Sequence, residues 1–265
     1  NEPGSSMIVP YPIEDLTDEN IILNYIKRYR IGFYLNQFKV FVGETCISRD
    51  TIKDVIKKNI PSEYSSYCSY FNFIDYCAEI EKNKIHYKVF FSEENPAKVK
   101  KENIKEEDIS EIISSLEENK TIGLRIPVNI NEIKDSGTDN VPDLKKSFVD
   151  VYLQKCDMGM GKQDTLRKIM SVSGIRNFEG KDYFALINIQ DMPAQKMFRK
   201  LETPNHKYFS NHSQEFEKHY GKYRNQLNLV QKAPESLKVL FEEIDSKLDS
   251  DAADDFFDFG KGSER

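Results

Sequence analysis

The sequence predicts an α+β protein: a mixed or antiparallel, OB-like sheet elaborated by helices and followed by a disordered acidic C-terminal tail. Two observations lead there. Segments with helical spacing of apolar residues are interspersed with alternating or β-branched runs, without the regular strand–helix alternation of a doubly wound fold. The composition, 38% hydrophobic and 31% charged with 12 Gly and 10 Pro, excludes collagen-like chains and wholesale disorder, and 265 residues are enough to bury a real core. Few glycines and few strands ahead of residue 84 set the chain apart from a plain OB-fold.

Asp18 to Tyr29 carries Ile21, Ile22, Tyr25 and Ile26 at helical spacing, with Thr17 or Asp18 as cap. Ile31 to Thr45, with Asn36-Gln37 between apolar runs, reads as a β-hairpin. Ser48 to Asn59 reads as a helix stopped by Pro61, and Tyr64 to Glu81 as an aromatic-rich helix. Lys84 to Phe91 alternates as a strand, Pro96 to Glu107 is a charged connector, and Asp108 to Glu118 is an amphipathic helix. Thr121 to Ile130 and Ser147 to Gln154 are strands, joined by a Gly-, Asp- and Pro-containing loop over Asn131 to Leu144. Met158 to Gly161 is a loop, Gln163 to Val172 a short helix, and Lys181 to Ile189 the clearest strand of the second half. Asn211 to Gln231 and Pro234 to Leu248 read as two helices, with Pro234 in the first turn of the second.

Charge divides the chain more sharply than periodicity does. Residues 1–143 hold 18 Lys/Arg against 25 Asp/Glu, residues 144–233 hold 16 against 9, and residues 234–265 hold 4 against 10. The net charge of -6 therefore hides a basic segment suited to an anionic partner. The expected organisation is a leader over 1–16, an acidic α+β part over 17–143, a basic α+β part over 144–248 and an acidic-aromatic tail over 249–265.

Several chemistries are excluded or set aside. No apolar run approaches the ~18 residues of a membrane span, and the start lacks a signal-peptide pattern. Cys46, Cys68, Cys77 and Cys156 form no CxxC pair and read as reduced thiols of a cytoplasmic compartment. His206, His212 and His219 with Glu215 and Glu217 match no usual zinc spacing. Cys156 to Asp164 misses the first glycine of a Walker loop and has Gln163 where Ser or Thr is needed. No cofactor and no metal are expected.

The basic segment interleaves cations with rings, which is what single-stranded nucleic acid needs: flat faces for bases and positive charge for phosphates. The candidate nucleic-acid-binding residues are Tyr152, Lys162, Arg167, Lys168, Arg176, Tyr183, Phe184, Arg199, Lys200, Lys207, Lys218, Lys222, Tyr223 and Arg224. Tyr183 or Phe184 is expected to be the stacking platform. In the tail, Asp254, Asp255, Phe256, Phe257, Asp258 and Phe259 place acidic groups around rings that have no core periodicity, which suits docking on a partner protein.

Two resemblances follow from these residues. The tail resembles the acidic, aromatic-tipped tails of bacterial and phage single-stranded DNA-binding proteins, which recruit replication and repair partners and compete with DNA. Here Gly260 to Arg265 follows the last aromatic, where those tails usually end. Gly32-Phe33-Tyr34 and Phe41-Val42-Gly43, with Arg49 following, resemble the GIY-YIG nuclease signature over residues 30–118, although Phe41 stands where a tyrosine is usual. That resemblance implies Tyr34 and Arg49 orienting nucleophile and phosphate, and Glu111 holding a divalent metal.

The expectation is a non-enzymatic single-stranded nucleic-acid-binding protein of a bacterial or infected bacterial cytoplasm. Its tail would recruit a replication, repair or transcription protein, and no membrane is involved. The alternatives are a GIY-YIG-like metal-dependent endonuclease with Tyr34, Arg49 and Glu111, or a protein-interaction adaptor.

Overall fold

Thr17 opens the first helix by accepting a 3.2 Å hydrogen bond from Asn20 N, and Asp18 and Glu19 follow in the positively polarised first turn. Helix α1 (Asp18–Tyr34) begins the part of the chain described by a computed structural model, which covers residues 17–92, 96–134, 141–167, 170–171, 182–202, 209, 216, 219–221 and 223–258. By internal contacts the chain divides into two units, residues 1–68 and 69–265. The charge boundary at 143/144 does not coincide with this division; it falls inside a strand of the second unit.

In the first unit, α1 runs one turn further than its N-terminal periodicity suggests. Ile22, Ile26 and Phe33 share one buried stripe, so Ile31 to Tyr34 completes the helix instead of opening a hairpin. The hairpin is shorter and later: β1 (Val40–Val42) pairs with β2 (Thr45–Ile47) across Gly43-Glu44, where Gly43 takes φ +55°, a conformation costly for residues with a Cβ. Helix α2 (Ile52–Asn59) ends before Pro61 as expected.

The second unit is built on a mixed sheet with seven strands among the described residues. Helix α3 (Tyr64–Asn83) contributes most of its length to this unit, followed by β3 (Tyr87–Lys88), α4 (Glu106–Glu117), β4 (Ile122–Lys134), β5 (Val141–Lys155), β6 (Lys162–Arg167), β7 (Met170–Ser171), β8 (Tyr183–Ile189), α5 (Met192–Leu201), β9 (Tyr220–Gly221) and α6 (Tyr223–Asp258). The order is β3-β4-β5-β8-β6-β7, with β9 on the same edge of β4 as β3. β3–β4 and β6–β8 are parallel and the other pairings antiparallel. The α+β class is thus observed, with an open sheet among the described residues in place of the OB-like, five-stranded barrel arrangement.

Alternation explains the layers. Ile122, Leu124, Ile126, Val128 and Ile130 of β4 and Val149, Val151 and Leu153 of β5 are buried on one face, under α4, α5 and α6. Each such side chain stabilises the fold by ~1.5–3 kcal/mol relative to exposure. On the opposite face α3 approaches closely: a Cβ on Gly123 would sit 2.9 Å from Ile80 Cγ2. Tyr70 and Phe73 of α3 pack on Phe184, and Tyr70 donates a 2.7 Å hydrogen bond to buried Asp164.

Two expectations are corrected here. Gln163 to Arg167 is a strand, because its backbone joins the parallel ladder beside β8 and buries Thr165 and Leu166. Pro234 lies inside one continuous α6, because Val230, Ala233, Leu237, Phe241 and Ile244 bury a single stripe through it and offset the ~3 kcal/mol cost of an internal proline. The loop core at 135–140 lies outside the described residues. The four cysteines are free thiols. Among the described residues no helix is long and apolar enough to cross a membrane.

Candidate nucleic-acid interface

Three of the rings expected to contact nucleic acid lie inside the protein. Tyr152, Tyr183 and Phe184 are at most 2% exposed. Their faces are spent on protein, because β5 and β8 are inner strands covered on both sides; neither Tyr183 nor Phe184 is a stacking platform. Arg167 is buried and donates to Glu202 Oε2 at 2.9 Å, a structural ion pair. Arg199 and Lys200 are exposed in the last turn of α5, Lys162 is partly exposed at the start of β6, and Arg224 is exposed in the first turn of α6. Lys168, Arg176, Lys207, Lys218 and Lys222 lie outside the described residues, and Tyr223 begins α6.

The tail residues Asp254, Asp255, Phe256, Phe257 and Asp258 fall in the last turns of α6, and Phe259 lies beyond the described residues. Of the nuclease-type candidates, Tyr34 is 6% exposed, with the Arg49 guanidinium 5.5 Å from its ring. Glu111, in the second unit, hydrogen-bonds Tyr87, whose phenol is pushed up to about 12, first by burial and then by that carboxylate. His206, His212, Glu215 and Glu217 are outside the described residues.

A cleft does gather cations and rings, from residues the sequence did not single out. It measures about 540 Å³ and lies along the edge of β4 between β3 and β9. Phe90, Phe91 and Phe148 supply rings, and Lys88, Arg125 and Lys146 supply charge. No carboxylate lines it among the described residues. Phe90 is 50% exposed, a large apolar surface left in water. Gln226 closes one end by donating to Asn129 O at 2.8 Å.

Arg125 is the most constrained of these groups. It faces Asp150 directly across the β4–β5 ladder and donates to both of its carboxylate oxygens, from Nε at 2.8 Å and Nη2 at 2.9 Å. Its guanidinium stacks 4.0 Å from the centroid of the Phe148 ring. Those hydrogen bonds hold its protonated form and raise its pKa further.

Beside Arg125 sits a partly buried polar network. Tyr152 donates to Glu81 Oε2 at 3.0 Å, and its hydroxyl lies 3.0 Å from His86 Nε2. His86 lies 3.4 Å from Glu81 and 3.9 Å from Asp150. Burial lowers the His86 pKa against the pull of Asp150 and Glu81, and raises that of Asp150 against the pull of Arg125 and His86. Glu81, His86 and Asp150 bring three potential metal-ligand atoms within 4.8 Å of one another, a group the sequence reading did not anticipate. Arg125 already supplies the positive charge there, pairing both Asp150 oxygens and reaching to 3.8 Å from Glu81. These contacts hold the guanidinium, which lines the cleft, in place.

No known family model, curated protein or solved structure matches the chain.

Proposed function

We propose that the protein binds single-stranded nucleic acid, with a base in the cleft walled by Phe90, Phe91 and Phe148 and phosphates on Lys88, Arg125 and Lys146. The observation that carries this reading is the coincidence of rings and cations, without a carboxylate, in one cleft among the described residues. A base needs a flat π face, and its backbone needs positive charge beside it. A volume near 540 Å³ accommodates a single nucleotide. The held Arg125 pays little ordering entropy on contact, because Asp150 and Phe148 already orient it. In the same reading the acidic-aromatic tail docks a replication, repair or transcription protein and competes for the cations.

The test is fluorescence anisotropy with a labelled single-stranded oligonucleotide at low salt. Stacking is worth about 1–3 kcal/mol per base, so Phe148→Ala or Phe90→Ala weakens binding by roughly 5- to 150-fold. Absence of binding by the unaltered chain, or unchanged affinity in both variants, overturns the reading.

A further inference from the structure

A second cleft, of about 570 Å³, opens between α6, β6 and residues 98–101. It shares no lining residue with the cleft described above. We infer that it receives the acidic-aromatic tail of a second copy of the chain.

The cleft offers two kinds of surface to an occupant. On α6, Val239 is 42% exposed and its neighbour Leu240 only partly buried, which leaves an apolar strip in water. Around that strip Lys98, Lys100, Lys101 and Lys232 are exposed, and they outnumber the carboxylates of the cleft, Glu235 and Glu243. A small anion alone leaves the strip wet, and a neutral apolar peptide leaves the lysines without opposite charge. The occupant that meets both is a peptide with apolar side chains set among carboxylates.

The chain carries such a segment. Asp254-Asp255-Phe256-Phe257-Asp258-Phe259 sets three rings among three carboxylates. It does not reach the cleft of its own copy, because α6 runs as one helix from Tyr223 to Asp258. Phe256 stands 17 residues beyond Val239, about 25 Å further along the axis at ~1.5 Å per residue. The helix whose middle lines the cleft thus carries the segment away from it, toward the cleft of another copy. Donor and receptor are different patches of the same chain, so either can be removed while the other stays.

Sedimentation equilibrium of the full chain, without nucleic acid, tests the assignment. At low salt the average mass is expected to rise with protein concentration, and added salt to reverse the rise, because it screens lysine from aspartate. A tail variant, Phe256→Ala with Phe257→Ala and Phe259→Ala, is expected to weaken association by about tenfold or more. So is a cleft variant, Lys98→Glu with Lys101→Glu, at two exposed positions. Should circular dichroism show that the cleft variant does not fold, Val239→Glu takes its place. Mixed together, the tail and cleft variants are expected to form a heterodimer, since one keeps the receptor and the other the donor. A full chain that stays monomeric at low salt, variants that associate as the unaltered chain does, or a mixture no more associated than its components overturns the inference. Phe148→Ala, in the other cleft, is expected to associate normally; loss of association there would place the tail in that cleft and overturn it too.

Discussion

Added salt weakens an interface built on phosphate neutralisation, and the cleft geometry sets by how much. Three cations, Lys88, Arg125 and Lys146, line the cleft. On single strands each phosphate contact contributes about -0.7 to the slope of log K against log salt concentration. Arg125 already shares its charge with Asp150, so the contacts number between two and three, and the slope lies between about -1.4 and -2.1. From 50 to 200 mM salt the affinity for a labelled oligonucleotide should then fall by roughly 7- to 20-fold. Anisotropy titrations at four salt concentrations read the slope directly. Lys88→Ala and Lys146→Ala should each reduce its magnitude by about 0.7. Lys145→Ala is the control, because Lys145 is held by Glu132 and does not line the cleft. A slope unchanged by Lys88→Ala and Lys146→Ala, but flattened by Arg199→Ala or Lys200→Ala, would refute the reasoning and place the phosphates on the α5 surface.

Other outcomes follow from the same coordinates. Gly123→Ala should destabilise the chain by about 1–3 kcal/mol in urea unfolding, because its Cβ would meet Ile80 at 2.9 Å and the Tyr152 ring at 3.1 Å. His86 has a depressed pKa, so its contribution is present above the unfolded value of 6.5 and is lost as pH falls through the lower folded value. Unfolding curves between pH 7.5 and 5.0 should show that loss, and His86→Asn should flatten it; equal pH dependence in both proteins would dismiss the idea. The raised pKa of Asp150 acts in the opposite sense above its unfolded 3.8, and comparing the two proteins largely removes it. Deleting residues 249–265, with six carboxylates against two cations, should tighten oligonucleotide binding at low salt; unchanged affinity across a salt series would leave the tail no competing role.

Local pattern was enough for the helices Asp18–Tyr34, Tyr64–Asn83 and Glu106–Glu117 and for the strands Ile122–Lys134, Val141–Lys155 and Tyr183–Ile189, apart from their ends. Each buries a continuous stripe or an alternating row, and that signal is written in consecutive residues. It failed at Gln163 to Arg167 and at Pro234. There the deciding interactions were a parallel ladder with β8 and a buried stripe under the sheet, both made with residues distant in sequence.

The candidate site was less legible for the same reason. Tyr152, Tyr183 and Phe184 carry the right chemistry, but the strand order β4-β5-β8-β6 puts them inside. A sign of the cleft was present: Arg125 interrupts the apolar residues of β4, and Asp150 stands alone among Val149, Val151 and Leu153. Only the β4–β5 register sets Arg125 against Asp150 and beside Phe148, and only the pairing of β3 with the start of β4 brings Lys88 and Phe90 to the same edge. The sequence by itself determined the α+β class, the charge layout and most of the element types, because periodicity and charge are local properties. Which rings are buried, which cations converge and which polar groups are left without partners were decided by the tertiary structure, because each depends on strand order and register between segments tens of residues apart.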